Sequence, residues 1–388
     1  MPTRKHLEKL SLRLQPGLLQ SATEIFGGSA SAQTLTSVNQ IAYDTESFTQ
    51  DNELDDDRSI EGSAFENLGN QTGLKAQGEV TGPLRYDGLE PLILAMMGFE
   101  RPTGSTDDAG FSPESVGGSL FSHLFELDAH DRHNAAYRTT FDLDGITQAS
   151  ISFDASDRKD RAVTIGLARD PNDHRYKDSM IQSFGFSGTP DDKIIKWTMS
   201  VVGEQEERAD FDSDNWDFAP GNGPAKNVLF KDLTAKLGNL ASRAVVDLAG
   251  FNITVEVPLL IEQTSESDSF ITEPFLQDKY KVTLELTVAR HDADTFRAAL
   301  EANTEQACSL EFSSGSNTFK FLFESMRLMT SPLGDEGVAR QVLTFMCGPL
   351  PSGGTDFSSE LGNHVLKMGG PFSIQNTSQN ADNWLRKE

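Results

Sequence analysis

A chain of 388 residues has room for two or three domains at ~100–200 residues each. Its 37% apolar content, with 25 Phe, excludes a fully disordered polymer. The 33 Lys and Arg against 59 Asp and Glu leave a formal charge of −26, which argues against a protein that grips nucleic-acid phosphates or anionic membranes.

In chain order, residues 1–35 are polar with little periodicity and predict an N-terminal arm. Met1 to Leu10 lacks an apolar core segment, so no secretion signal is expected. A first domain is expected over 36–205. It contains a long acidic loop, Thr49 to Gly73, with Asp51, Glu53, Asp55, Asp56, Asp57, Glu61 and Glu66 against Arg58. A strand at Lys75 to Thr81 follows. Asp87 then opens a helix that stops at Gly98, with Leu89, Leu92, Ile93 and Met96 on one face. The apolar run Leu89 to Phe99 falls far short of the ~20 residues of a membrane span. Hairpins are expected across 121–154, including Ala149, Ile151 and Phe153, and a strand at Ile195, Trp197, Met199 and Val201.

A polar stretch rich in Asp, Gly and Pro, 206–229, reads as a linker. The second domain, 230–348, has period-two strands at Phe251 to Val257, at Tyr280 to Val288 and at Phe319, Phe321 and Phe323. Between the first two lies another acidic loop, 258–278, with Phe270, Ile271, Phe275 and Leu276 among its carboxylates. A helix is predicted from Asp292 to Asn303, with Phe296, Ala299 and Leu300 as its apolar stripe. Residues 349–388 form a C-terminal arm. Cys308 and Cys347 lie in strand-like runs and are read as reduced core thiols.

Two regions match. Lys75, Glu79, Thr81, Arg85 and Asp87 recur as Lys281, Glu285, Thr287, Arg290 and Asp292, offset by 206 residues in the strand and 205 at the helix start. Each copy is an acidic loop, a strand, a helix and then hairpins, so the sequence predicts a duplication. Each acidic loop with apolar residues reads as a hairpin arm that orders against a neighbour; Asp55, Asp56, Asp57, Phe270 and Phe275 are its candidate subunit contacts.

Motifs for chemistry are sparse. Asp210, Asp212 and Asp214 have calcium-loop spacing, but Asn215 and Gly221 stand where an EF-hand needs Gly and Glu. His130 and His133 have no partner ligands in view, and Asp292 beside His291 reads as a helix cap. Gly221-Asn-Gly223 leads into Pro224 rather than a phosphate-binding helix, and no nucleophile elbow occurs. The expectation is a non-enzyme with no catalytic residue, metal or cofactor.

The stretch Gly78 to Gly98 resembles the strand-plus-helix of tailed-bacteriophage tail tube proteins, the siphophage-type major tail proteins. Phe184 to Gly188 leading into Ile195 to Gly203, and Ala42 to Ser47, are similar to the same family. The resemblance covers about 36–347. It implies a mainly β chain of two tandem tail-tube-like β-sandwich or partial-barrel domains, each with a short flanking α-helix and a long loop arm. It further implies a structural virion protein that self-assembles into stacked rings forming a hollow tube, the conduit for genome delivery. Three two-domain chains would give a ring with pseudo-sixfold symmetry; without the duplication, a hexamer is the expectation. Implied partners are further copies of the chain, a tape measure protein and tail-tip or terminator proteins, with double-stranded DNA met only in passing and no membrane anchor. The implied location is the virion tail, assembled in the host bacterial cytoplasm. Two other readings stand beside it: a related tail-tip or terminator protein, and a β-sandwich carbohydrate-binding protein.

Overall fold

Side chains alternate between two faces of an extended chain, so period-two runs build sheets with one apolar side. The computed structural model describes residues 9–14, 40–55, 70–101, 114–117, 120–127, 163–168, 173–209, 226–239, 242–261, 275–276, 278–289, 301–330, 341–348 and 371–378. They are overwhelmingly strand. The first stretch of chain forms β1 (Lys9–Leu14), β2 (Gln40–Ile41), β3 (Thr45–Glu46), β4 (Thr49–Asp55) and β5 (Asn70–Pro83), then α1 (Glu90–Met97). β6 (Gly98–Arg101), β7 (Glu114–Gly117), β8 (Leu120–Leu127), β9 (Val163–Ala168), β10 (Asp173–Gly188) and β11 (Lys196–Ala209) follow. A 3-10 turn at Phe230–Asp232 leads into β12 (Leu233–Asn239), β13 (Ser242–Val246), β14 (Leu248–Glu256) and the short β15 (Leu259–Leu260) and β16 (Phe275–Leu276). The chain ends through β17 (Lys281–Val288), β18 (Glu305–Ser314), β19 (Asn317–Thr330), β20 (Gln341–Cys347) and β21 (Ser373–Ser378).

All the pairings are antiparallel. One run of neighbours is β2–β1–β9–β10–β11–β5, with β3 and β4 on the far edge of β5. A second is β13–β12–β18–β19–β20–β17–β14. The C-terminal half of β10 joins them by pairing with β14. β21 inserts between β19 and β8, and β8 also carries β6 and β7.

The predicted alternation is visible as burial. In β17 Val282, Leu284, Leu286 and Val288 are buried while the residues between them reach solvent, and Phe251, Ile253 and Val255 do the same in β14. Phe319, Phe321 and Phe323 are buried with Leu322 between them, so β19 is covered on both faces there. These side chains form one apolar cluster that includes Trp197, Met199, Phe312 and Phe345. Its aromatic centre brings together Phe186 and Phe321, with ring centroids 4.9 Å apart, and Phe323 and Phe372, also 4.9 Å apart.

α1 starts at Glu90 rather than Asp87, with the Ile93 amide bonded to the Leu89 carbonyl. Glu90 reaches back to accept from the Gly88 amide at 3.0 Å. The helix ends before Gly98, as the sequence predicts, but Leu92 to Met97 are all buried. An amphipathic stripe is therefore replaced by a helix interior on every side, because β1, β8 and β10 pack around it. Of the second predicted helix, residues 301–303 are described: Glu301 is helical, and Asn303 lies in the left-handed region at φ +49°, as a terminating Asn does.

Several segments differ from expectation. Lys9–Leu14 and Ser373–Ser378, assigned to arms by their polar surroundings, are sheet strands; Leu10, Leu12 and Ile374 are buried. The expected loop from Thr49 begins as β4 and ends as β5, which pair down to Asp55 opposite Asn70. Glu206 to Ala209, assigned to the linker, continue β11 and pair with Asp173 to Tyr176 of β10. In each case the strand is short or its outer face polar, so composition conceals it.

Candidate functional site

The hairpin β4–β5 and the hairpin β14–β17 share one register. Asp51 lies opposite Lys75, and Glu256 lies opposite Lys281. Gln50 and Ala76 correspond to Val255 and Val282, and Thr49 and Gln77 to Thr254 and Thr283. Thr45 opposite Thr81 corresponds to Gly250 opposite Thr287. The spacing is 205 residues on one strand and 206 on the other throughout. Each lysine thus faces a carboxylate across its ladder. Lys281 Nζ is 3.1 Å from Glu256 Oε2, and Asp51 accepts from Gln77 Nε2. At the bases of both arms the strands pair again, Asp55 with Asn70 and Leu260 with Phe275, but there the second strand is offset by 205 rather than 206, beyond the register shift at Glu53/Leu54.

The correspondence continues through the next strands. Every β5–β11 partner on β11 sits 144 residues before the matching β17–β20 partner on β20, from Trp197 and Gln341 to Gly203 and Cys347. Met180 opposite Val202 matches Arg327 opposite Met346, and the register shift between Ile181 and Ser183 recurs between Leu328 and Thr330. Tyr176 opposite Ile165 matches Phe323 opposite Cys308. Leu10 opposite Leu167 matches Ala235 opposite Leu310, and Leu10 opposite Ile41 matches Ala235 opposite Val246. The expected order of a helix and then hairpins sets β18 to β20 beside the hairpins at 121–154, whereas in register they match β9 to β11. Spacing drops from 206 to about 143 because 98–162 has no counterpart, so a fixed-offset search loses the match. The findable signal is apolar phase: Met199 and Val201 precede Leu343 and Phe345 by 144 residues.

β10 is where the two runs of strands meet. Ser183 to Gly188 pair with Glu256 to Phe251, and the Val257 amide donates to the Gln182 carbonyl at 2.8 Å. The strands approach so closely that a Cβ on Gly185 would lie 2.6 Å from the Ile253 carbonyl oxygen. A second meeting point is residues 226–230. Val228 donates to the Leu84 carbonyl, Tyr86 to that of Lys226, and Phe230 to that of Lys193. This places the entry to β12 against the exit of β5 and the entry to β11.

Some buried polar groups are tied in, while others, the Tyr86 hydroxyl and Asn376 Oδ1 among them, have no hydrogen-bond partner among the described residues. Asn376 Nδ2 donates to Glu90 Oε1 at 3.1 Å, with both residues buried. Tyr86 is buried, and that burial, with Asp232 nearby, raises its phenol to about 12. Glu206 sits 2.6 Å from His174 Nδ1 and 2.9 Å from Arg208 Nη2, and Tyr176 donates to it at 3.2 Å. Burial pushes the Glu206 carboxyl up, but the hydrogen bonds and charges of Arg208 and His174 outweigh this and leave it below its ordinary value. Cys308 and Cys347 are free and buried; burial raises the Cys308 thiol to about 12 and pushes Cys347 up as well.

Of the predicted positions, Lys75, Glu79 and Thr81 lie in β5, Arg85 and Asp87 between β5 and α1, and Lys281, Glu285 and Thr287 in β17. Asp55 closes β4 and Phe275 opens β16. Asp56, Asp57, Phe270, Arg290 and Asp292 lie outside the described residues, as do His130, His133, Asp210, Asp212 and Asp214 and the strand at Ala149, Ile151 and Phe153. Among the described residues no group of His, Cys, Asp and Glu could hold a metal ion, and no helix is long and apolar enough to cross a membrane.

No curated protein matches the chain. The family model described as phage tail tube protein matches residues 20–354. That span takes in all the strands from β2 to β20, including both matching hairpins. The chain belongs to the phage tail tube protein family, as a β-rich structural protein of the virion tail.

Proposed function

We propose that this chain carries two tail tube domains in tandem, that three chains close a ring of six equivalent units, and that rings stack into the hollow tube through which the genome leaves. The observation that carries this is the shared register, down to the same strand irregularity at Ile181/Ser183 and Leu328/Thr330. The first unit runs from β1 to β11, the second from β12 to β20, with 210–225 between them. A subunit with open sheet edges gains most by pairing them with copies of itself, since an unpaired edge otherwise recruits any strand.

The polar face of β5 and β17, with Glu79 and Glu285 at equivalent positions, faces the channel in this reading. Three chains put a formal −78 on each ring, three times −26. Duplex DNA carries one negative charge per ~1.7 Å of axis, so an acidic wall lets it pass without sticking. The acidic arms at 56–69 and 262–274 bridge successive rings, with Asp55, Asp56, Asp57, Phe270 and Phe275 at or near the contacts, and loop length adds little entropic cost. Tape measure and tail-tip or terminator proteins are the partners at the bore and ends. Assembly takes place in the host cytoplasm.

Electron microscopy of the purified chain tests this. Hollow cylinders with threefold symmetry and pseudo-sixfold density are expected. Single rings that never stack would instead indicate a terminator, sixfold symmetry of whole chains would remove the tandem-domain trimer, and a basic lumen would remove the repelling wall.

A further inference from the structure

The internal junction has a counterpart that one chain leaves unfilled. Inside the chain, β10 pairs with the outer edge of β14, Ser183 opposite Glu256, with the Gln182 carbonyl accepting the Val257 amide. In the shared register β14 corresponds to β3 and β4, Glu256 to Asp51 and Val257 to Asn52. The end of β10 corresponds to the end of β19, with Ser183 matching Thr330 and Gln182 matching Met329. Among the described residues β4 pairs only with β5, so its second edge has no ladder partner.

We propose that this edge of β4 receives the end of β19 from a second copy of the chain, Thr330 opposite Asp51 and the Met329 carbonyl accepting the Asn52 amide. The inference rests on the tube reading above and fixes which strands join neighbouring chains and in what register. Each copy offers one such edge and one such strand end, so the contact is heterologous, and it closes into a ring by repeating the step the chain already makes within itself. Exposed apolar surface lies at this end of β19. Met329 is 48% exposed and Met346, on the adjacent strand, 47%. The position equivalent to Met346 in the first unit is Val202, which is 2% exposed. A neighbouring chain would cover in the second unit what is already covered in the first.

Opposed residues in an antiparallel pair have Cα atoms ~4.5–5.5 Å apart, within disulfide reach. The double variant Asp51→Cys/Thr330→Cys, assembled under reducing conditions and then oxidised, is expected to give a reducible ladder of one, two and three chains on a denaturing gel, ending at three. Cys308 and Cys347 are buried and supply little background. Ser183→Cys/Glu256→Cys, the internal equivalent, is expected to bridge within one chain and give no ladder. Cylinders by microscopy without a ladder overturn the junction, and a ladder ending at six overturns the trimer. A chain that forms no cylinders fails the tube reading itself. Asn52→Pro provides a second test, because proline removes the donor yet is tolerated on an edge strand. Its circular dichroism should be unchanged while cylinders are lost; normal cylinders from it overturn the proposal.

Discussion

Lys281 spans the β14–β17 ladder to reach Glu256, with 3.1 Å between Nζ and Oε2, and Lys75 lies opposite Asp51 in the same register 206 residues earlier. Both partners of the first pair have side chains 53% exposed, so solvent screens their attraction. Lys281→Met should therefore lower chain stability by less than about 1 kcal/mol in urea denaturation, with the difference shrinking as salt is added. A loss of several kcal/mol would mean that the pair holds the hairpin together rather than marking its register.

At Gly185 β10 has no room for a side chain beside β14. A Cβ there would meet the Ile253 carbonyl at 2.6 Å, and a backbone atom cannot swing aside as a side chain can. Gly185→Ala should destabilise the chain by about 1–3 kcal/mol through forced separation of the two strands. Gly348→Ala, where a Cβ meets nothing within 4 Å, is the control and should be close to neutral in the same denaturation experiment.

Phe321 packs where the two runs of strands share their core. Its ring contacts Phe186 of β10 and Phe251 of β14, at 4.9 and 6.1 Å between centroids, and it is fully buried. Phe321→Ala should cost about 3–5 kcal/mol. If the shared core couples both units, calorimetry should show a single transition moving to lower temperature. Two transitions, only one of them displaced, would mean that the units melt independently.

The strands that read clearly in the sequence are those with one buried and one wet face, such as Lys281–Val288 and Phe251–Glu256. Phe319, Phe321 and Phe323 mark a strand by the same alternation, although β19 is buried on both faces from Phe321 to Met326, which the alternation does not show. β1 and β21 were illegible for a different reason: their burial is tertiary. Asn376 and Thr377 are buried polar residues whose partners, Glu90 and Thr318, lie far away in the chain. The first pair of matched hairpins was legible because Lys, Glu and Thr recur at one offset. β9 to β11 were not, because the ladder preserves register while identities drift, Tyr176 to Phe323 and Met199 to Leu343.

Asn376 tests whether β21 acts as a clasp. It is 1% exposed and donates to the buried Glu90 carboxylate at the start of α1, so removing it leaves a buried acceptor short of a partner. Asn376→Ala should lower stability by about 1–3 kcal/mol, the cost of leaving a buried polar group without its hydrogen bond. Hydrogen exchange should accelerate first in β21 and β8, which pair with each other.

The cluster around Glu206 gives the fold an acid-sensitive point at the far end of β10 and β11. Its carboxyl is raised by burial but lowered more by Arg208 and His174, and Tyr176 also donates to it. A carboxyl held below its unfolded value stabilises the fold above that value, and the contribution disappears as pH falls through the folded value. Stability should therefore decline as pH drops below 4.5, the ordinary Glu value. Glu206→Gln should be less stable than the native chain at neutral pH by roughly 1 kcal/mol, since Arg208 is solvent-exposed and the pair is screened. The difference should vanish in strong acid, where the native carboxyl is itself neutral. Urea midpoints measured across the acid range would show the two curves converging; parallel curves would mean that Glu206 is not charged in the folded chain.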